Sequence, residues 1–190
     1  MYNIYLYEHE KLMTEEEFHQ FLFLLPEYRK EKTLRYRNYI DQLNCLISFL
    51  LLKILLKRKY DIIDFTMKYD KNGKPYLKEY PDIHISISHC KCACAVVISD
   101  SPVGIDVQEI RKYNYDIYQR VCSERELQQL MKSDNKEEFF TKIWCVKECM
   151  AKVSGMGIEN YLKQECENNR GITVVRQVRN YRYVVAVCDN

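Results

Sequence analysis

Five glycines in 190 residues leave no Gly/Ser-rich run, so no flexible linker separates one module from another. Charge of one sign is also scarce: 29 Lys and Arg stand against 27 Asp and Glu, a net +2. No global field of the kind that gathers nucleic acid follows from that balance. The start, Met1-Tyr2-Asn3-Ile4-Tyr5, has no basic stretch leading into an apolar core, which argues against a signal peptide. Long hydrophobic runs are missing too. The longest mainly apolar stretch, Leu46 to Leu56, is interrupted by Ser48 and Lys53. It is shorter than the about 20 residues a bilayer span needs and reads as a buried helix.

What is present fits a globular chain long enough for one large domain or two small packed halves. Hydrophobic residues make up 47% and charged residues 29%, outside the range of disordered chains. The 16 tyrosines imply no function by themselves. Basic residues crowd locally, as Arg29, Lys30, Lys32, Arg35 and Arg37, and again as Lys57, Arg58 and Lys59. The nine cysteines are an odd number without a secretion signal, which points to reduced thiols and a cytoplasmic protein. Cys90-x-Cys92-x-Cys94 departs from zinc-knuckle spacing, and alternate residues of a strand share a face. These three therefore read as small apolar strand residues rather than as a zinc site.

The pattern of elements predicts mixed α and β structure. Tyr2 to Tyr7 reads as a first strand, and Thr14-Glu15-Glu16-Glu17 as a capping box opening a helix toward Leu25. Pro26 suits the first turn of a second helix. A long helix follows over roughly Asp41 to Lys59, then a tight turn at Asn72-Gly73. Strands are expected at Ile83 to Ser88, Cys94 to Ser99 and Val103 to Val107. Ser123-Glu124-Arg125-Glu126 is a second capping box. Lys136 to Ser154 reads as a long helix stopped by Gly155 and Gly157. Ile172 to Val178 and Tyr181 to Cys188 make a last hairpin. In each half a long helix is followed by a pair of strands, and the halves meet near Val103 to Gln108. This divides the chain into residues 1–102 and 103–190, with a cleft between them as the expected ligand site.

Three constellations could carry chemistry. Val103-Gly104-Ile105-Asp106-Val107-Gln108 is an apolar strand with Asp106 and Gln108 on one face, two oxygen donors suited to a hard cation such as Mg²⁺. A strand end running into a polar loop would look the same. In Trp144-x-x-Lys147-Glu148-x-x-x-Lys152, Glu148 and Lys152 share a helix face. They form either a solvent-side ion pair or a carboxylate that binds metal or takes a proton, beside a lysine that meets phosphate. Ser86-Ile87-Ser88-His89 ends a strand with hydroxyls and an imidazole, able to hold a phosphate or to sit satisfied in the core. His9, His19 and His84 are assigned no role.

Taken in order, Gly73-Lys74-Pro75, Ser86-Ile87-Ser88-His89, Gly104-Ile105-Asp106 and Trp144-x-x-Lys147-Glu148-x-x-x-Lys152-x-x-Gly155-x-Gly157 resemble the 4′-phosphopantetheinyl transferases. The likeness is to the larger, single-chain type that activates surfactin synthetase, and it runs from Pro26-Glu27 and Arg29 to about Gly157. The resemblance implies an α+β fold of two similar α/β halves related by a pseudo-two-fold, with coenzyme A in the cleft. The implied activity is Mg²⁺-dependent transfer of the 4′-phosphopantetheine group from coenzyme A to a serine of an acyl or peptidyl carrier protein, releasing 3′,5′-ADP. Mn²⁺ could replace Mg²⁺. The alternative is a module of this fold that binds coenzyme A without transferring it.

Residue by residue, the resemblance makes Asp106, Gln108 and Glu148 the metal positions, and Asp106, Glu148 and Lys152 the catalytic group. Glu148 matches a proposed base toward the carrier serine, and Lys152 a lysine that meets the pyrophosphate. Arg29 and Lys32 match basic residues at the 3′-phosphate, Lys74 and Pro75 the adenine side, and Ser88 and His89 the nucleotide phosphates. Lys147 belongs to the same coenzyme A motif. Neither nucleic acid nor a membrane is an expected partner, and two fused halves imply a monomer. Two positions depart from the pattern: Gln108 stands where many relatives carry an acid, and Asn44 where relatives often carry Arg. The C-terminal part is also short for this type.

Overall fold

In a computed structural model of the chain, residues 1–166 and 171–189 are described. The elements run in the order β1 (Tyr2–Glu8), α1 (Glu15–Leu22), α2 (Glu27–Leu34), α3 (Tyr39–Tyr60), β2 (Met67–Tyr69), β3 (Pro75–Leu77), β4 (His84–His89), β5 (Ala93–Ser99) and β6 (Val103–Glu109). They continue with α4 (Tyr115–Val121), α5 (Glu124–Lys132), α6 (Lys136–Ser154), a 3-10 turn at Ile158–Asn160, β7 (Ile172–Val178) and β8 (Tyr181–Asp189). The result is a mixed α+β structure built on antiparallel sheets: β1-β5-β4, the small pair β2-β3, and β6-β8-β7.

The two larger sheets stack between two long helices, and strand periodicity sets each layer. On β5, Cys94, Val96 and Ile98 face a core with Leu43, Leu46, Phe49, Leu52 and Leu56 of α3. The alternate residues Ala93, Ala95 and Val97 face the other way, onto Val103, Ile105 and Val107 of β6. Burial on both faces explains why β5 is apolar from Ala93 to Ile98. On β8, Val184, Ala186 and Cys188 turn outward to Cys145, Val146, Cys149 and Val153 of α6. The order of layers is therefore α3, sheet, sheet, α6.

Gly104 lets α6 lie directly on β6, since a Cβ there would sit 2.2 Å from the Cys149 carbonyl oxygen. The close approach at this glycine is made by the helix backbone. At the edge where the sheets meet, β4 and β6 are joined through side chains. Ser86 Oγ accepts from Ile105 N–H at 3.1 Å, and Ser88 Oγ accepts from Val107 N–H at 3.1 Å.

Both capping boxes form, at Thr14–Glu17 and Ser123–Glu126. Pro26 sits one position earlier than expected, as the extended N-cap of α2. The long apolar helix α3 has 22 residues, enough in length and composition to cross a membrane, but 56% of its most apolar stretch is buried within this protein. It is a core helix. Gly155 ends α6 in the left-handed region at φ 71°. The hairpin carrying Asn72-Gly73 then caps the helix: Asn72 Nδ2 donates to Gly155 O at 2.9 Å, and Lys74 Nζ to Val153 O at 2.7 Å. These bonds satisfy carbonyls that a helix end leaves free, and Lys74 brings positive charge to the negative end of the dipole.

Candidate active site

Asp106 and Gln108 project from β6 on the face opposite Ile105 and Val107, which places them beneath α6. Asp106 is buried, and each of its oxygens has a partner. Oδ1 receives Lys152 Nζ at 2.7 Å and Ser88 Oγ at 2.8 Å, and Oδ2 receives Gln108 Nε2 at 3.0 Å. Lys152 also donates to Ile105 O at 3.0 Å. Ser88 thus accepts from the β6 backbone and donates to Asp106, which fixes the carboxylate in place. Glu148 lies one turn before Lys152, half-buried over the same spot. Burial raises its pKa above the ordinary glutamate value, the nearby Asp106 charge adds to the rise, and Lys152 opposes it.

These groups open into a cavity of about 240 Å³ lined by Lys74, Pro75, Ser86, Ile87, Glu148 and Lys152, with Gly155 to Ile158 at its rim. A second cavity of about 220 Å³ shares Gly73, Pro75 and Ile87 with the first and is lined by Arg29, Lys32, Tyr36, Tyr69 and His89. Arg29 is 2% exposed, and its hydrogen bonds go only to neutral groups. Nη1 donates to Tyr69 Oη at 3.2 Å and Nη2 to Cys45 O at 3.2 Å, while Nε has no partner. No carboxylate among the described residues pairs with it. Lys32 Nζ sits 3.7 Å over the Tyr69 ring, a cation on the aromatic face. His89 reaches solvent on one side, and the protein packed around the rest of its ring lowers its pKa.

The structure brings Glu148, Lys152, Lys74 and Pro75 around one cavity, with Asp106 bonded behind Lys152 and Ser88 and Gln108 bonded to Asp106, and Arg29, Lys32 and His89 around the adjoining one. It does not bring Lys147 there. Lys147 is 1% exposed on the other side of α6 and donates to Glu126 Oε2 at 2.8 Å and to the Gln164 carbonyl. Glu126 is buried, which on its own would raise its pKa. Lys147 and the backbone N–H groups of Cys166 and Ser123 outweigh that and hold it below the ordinary value. This pair is an internal strut between α5 and α6. Its signal in the sequence was the capping box, which marked Glu126 as a cap but gave no hint of its second partner.

Residues 102–185 match the family model described as the 4′-phosphopantetheinyl transferase superfamily. The chain is 26% identical over 162 residues to the 4′-phosphopantetheinyl transferase Sfp of Bacillus subtilis (strain 168), covering 83% of this chain and 71% of that protein. It is 32% identical over 156 residues to the 4′-phosphopantetheinyl transferase gsp of Aneurinibacillus migulanus, covering 78% of this chain and 65% of that protein. It is 30% identical over 128 residues to the 4′-phosphopantetheinyl transferase psf-1 of Bacillus pumilus, covering 65% and 55%. The chain therefore spans between 55% and 71% of the length of these relatives. It belongs to the 4′-phosphopantetheinyl transferase family.

Proposed function

We propose that this chain transfers the 4′-phosphopantetheine arm of coenzyme A to a serine of an acyl or peptidyl carrier protein. The observation that carries the reading is the pair of adjoining cavities: one lined by a buried arginine with no acid paired to it among the described residues, the other by Glu148 and Lys152, with Asp106 bonded behind Lys152. Coenzyme A carries anions at both ends of its nucleotide. A buried guanidinium without a counter-charge is unfavourable unless an anion joins it, so Arg29 and Lys32 suit the 3′-phosphate. Lys152 then stands on the pyrophosphate side, with Lys74, Pro75 and His89 lining the path between.

Asp106, Glu148 and the Gln108 amide, turned to present its oxygen, form an all-oxygen donor set that fits Mg²⁺. The ion, when bound, supplies positive charge to the pyrophosphate. The remaining steps belong to the chain. Ser88 holds Asp106 in orientation. Lys152 is drawn from Asp106 toward the pyrophosphate and stabilises charge on the leaving 3′,5′-ADP. Glu148, with its affinity for a proton raised, accepts the proton of the carrier serine directly or through water. The serine oxygen forms its bond to the β-phosphorus as the bond to the departing phosphate breaks. Positioning and charge do most of the work, as in other phosphoryl-type transfers.

The pseudo-two-fold reading is part of this proposal. One α3-backed sheet in residues 1–102 stands opposite one α6-backed sheet in residues 103–190, with the site at their junction. A fused pair of this kind completes its own cleft, which favours a monomer. All nine cysteines are free, in keeping with a cytoplasmic setting.

The test is the intact mass of an apo carrier protein after incubation with this chain, coenzyme A and Mg²⁺. A gain of one phosphopantetheine arm, lost with Asp106→Ala and with Glu148→Ala, is the expected result. Coenzyme A binding with no gain on acyl or peptidyl carriers would instead favour the binding module.

A further inference from the structure

The Cys90-x-Cys92-x-Cys94 run does not lie on one strand. Cys90 N–H donates to Ala93 O at 2.8 Å, which makes residues 90–93 the turn between β4 and β5. Cys94 falls beyond the turn and faces the α3 core. Cys90 and Cys92 are left together in the turn, with their sulfurs 3.4 Å apart. Glu109 ends β6 on the face opposite Asp106 and Gln108, and so points at this turn. Its Oε1 accepts from Lys91 N–H at 2.9 Å. Ligand atoms of Cys90, Cys92 and Glu109 all lie within 4.8 Å of one another, the one such three-residue cluster among the described residues.

The turn is also held from behind. Asn44 Nδ2 donates to Cys90 O at 3.0 Å, and His9 N–H donates to Cys92 O at 2.8 Å. His9 and Asn44 are both buried and bonded to each other at 2.9 Å. Both carbonyls flanking Lys91 are therefore fixed by core groups, and Glu109 is tied to the N–H between them. Each proposed ligand residue has a backbone or carboxylate bond that limits its freedom before any ligand arrives.

We propose that Cys90, Cys92 and Glu109 bind a thiophilic divalent cation, Zn²⁺ being the type case, separately from the Mg²⁺ site. Two sulfurs on a tetrahedral ion with bonds of about 2.3 Å stand about 3.8 Å apart, close to the spacing of the thiols. Two thiolates and one carboxylate discriminate against Mg²⁺, which takes oxygen ligands. A half-buried Cys90 and Glu109 leave the fourth position to water. On binding, the two thiols release their protons to solvent, and no group changes oxidation state. The ion would clamp the turn that follows His89 to the end of β6 just past Gln108, tying the strand of the nucleotide side to the strand of the metal acids.

The experiment uses the whole chain, stripped of metal and kept reduced with a phosphine. Zn²⁺ retained after desalting in excess Mg²⁺ is measured by elemental analysis, and Co²⁺ serves as the optical probe. The site predicts one Zn²⁺ per chain, a thiolate-to-cobalt charge-transfer band, and a melting temperature raised by Zn²⁺. Cys90→Ser abolishes the band, Glu109→Gln weakens retention by at least about tenfold, and Asp106→Ala changes neither. Glu109→Gln leaves both thiols in place, so it reads the site even if Cys90→Ser unfolds. Absence of retained Zn²⁺, retention unchanged in Glu109→Gln, or loss of Zn²⁺ in Asp106→Ala would overturn the assignment.

Discussion

On helix α6, Lys147 and Lys152 stand five residues apart, each in an ion pair with a buried carboxylate, and the two pairs are built for different tasks. Lys147 meets Glu126 at 2.8 Å, with the two side chains 1% and 6% exposed. Lys152 meets Asp106 at 2.7 Å, but its side chain is 28% exposed while Asp106 is 2% exposed. Every oxygen of the first carboxylate is engaged by the protein: Lys147 and Ser123 N–H hold Oε2, and Cys166 N–H holds Oε1. That pair is closed. The second lies on the wall of a cavity and has solvent on the lysine side, so its cation can exchange partners. The difference lies in access. A charge pair sealed from water holds elements together, and one open on a single side can be recruited by an anion.

The first way to break this comparison is Lys147→Ala. It strands Glu126 as a buried charge and is expected to lose about 3–5 kcal/mol of stability, read by denaturant unfolding. The same pair makes stability depend on acid. Because the folded pKa of Glu126 is depressed, its contribution is full above the unfolded value and disappears as pH falls through the folded value. Glu126→Gln should flatten that part of the acid profile. Lys152→Ala is the counterpart. Transfer is expected to fall by about 100- to 1000-fold, the scale of losing one charge-stabilising donor. Its melting temperature should move less than that of Lys147→Ala, because the lysine side of this pair is open to solvent and water can take the lost donor's place at Asp106.

Glu148→Gln sharpens the contrast within the open site. The folded pKa of Glu148 is raised, so the native state holds its proton more tightly than the unfolded chain does. Stability contributed by that proton is present below the unfolded value and is lost as pH rises through the folded one. In metal-free protein at neutral pH, Glu148→Gln should therefore raise the melting temperature, and the gain should shrink in acid. Transfer should fall in the same variant. The smallest effect is expected of Gln108→Glu, which adds a charge to the oxygen set. A titration of activity against Mg²⁺ should shift to lower concentration, and an unchanged or weaker dependence would place Gln108 outside the metal shell.

Much of the scaffold was legible because its signals are local. Residues 136–154 read as one helix with Gly155 as its stop, and α6 has those bounds. Both capping boxes form as the Ser/Thr-x-x-Glu spacing implies. Strands β2 and β3 went unread, since three residues each are too few to show an alternation. The seven-residue α4 was missed for the same reason of length. At the site, alternation on β6 put Asp106 and Gln108 on one face, and the structure keeps them there. The role of Asn44 was not legible. It stood out only as a departure where relatives often carry Arg, and the structure shows it bonded to His9, 35 residues away in sequence, and supporting the cysteine turn. Lys147 shows the limit of motif reading in the same way. Adjacency to Glu148 in sequence turns it about 100° around the helix, away from the cleft.

The most direct test compares initial transfer rates onto an apo carrier protein, by intact mass, for wild type, Lys152→Ala and the double variant Glu126→Gln/Lys147→Met. Rates are normalised to the folded fraction. Removing both charges of a closed pair avoids leaving either one stranded. The account predicts a double variant near the wild-type rate and a Lys152→Ala variant that is folded and slow. A folded double variant as slow as Lys152→Ala, or a Lys152→Ala variant at the wild-type rate, would contradict the division of labour along α6.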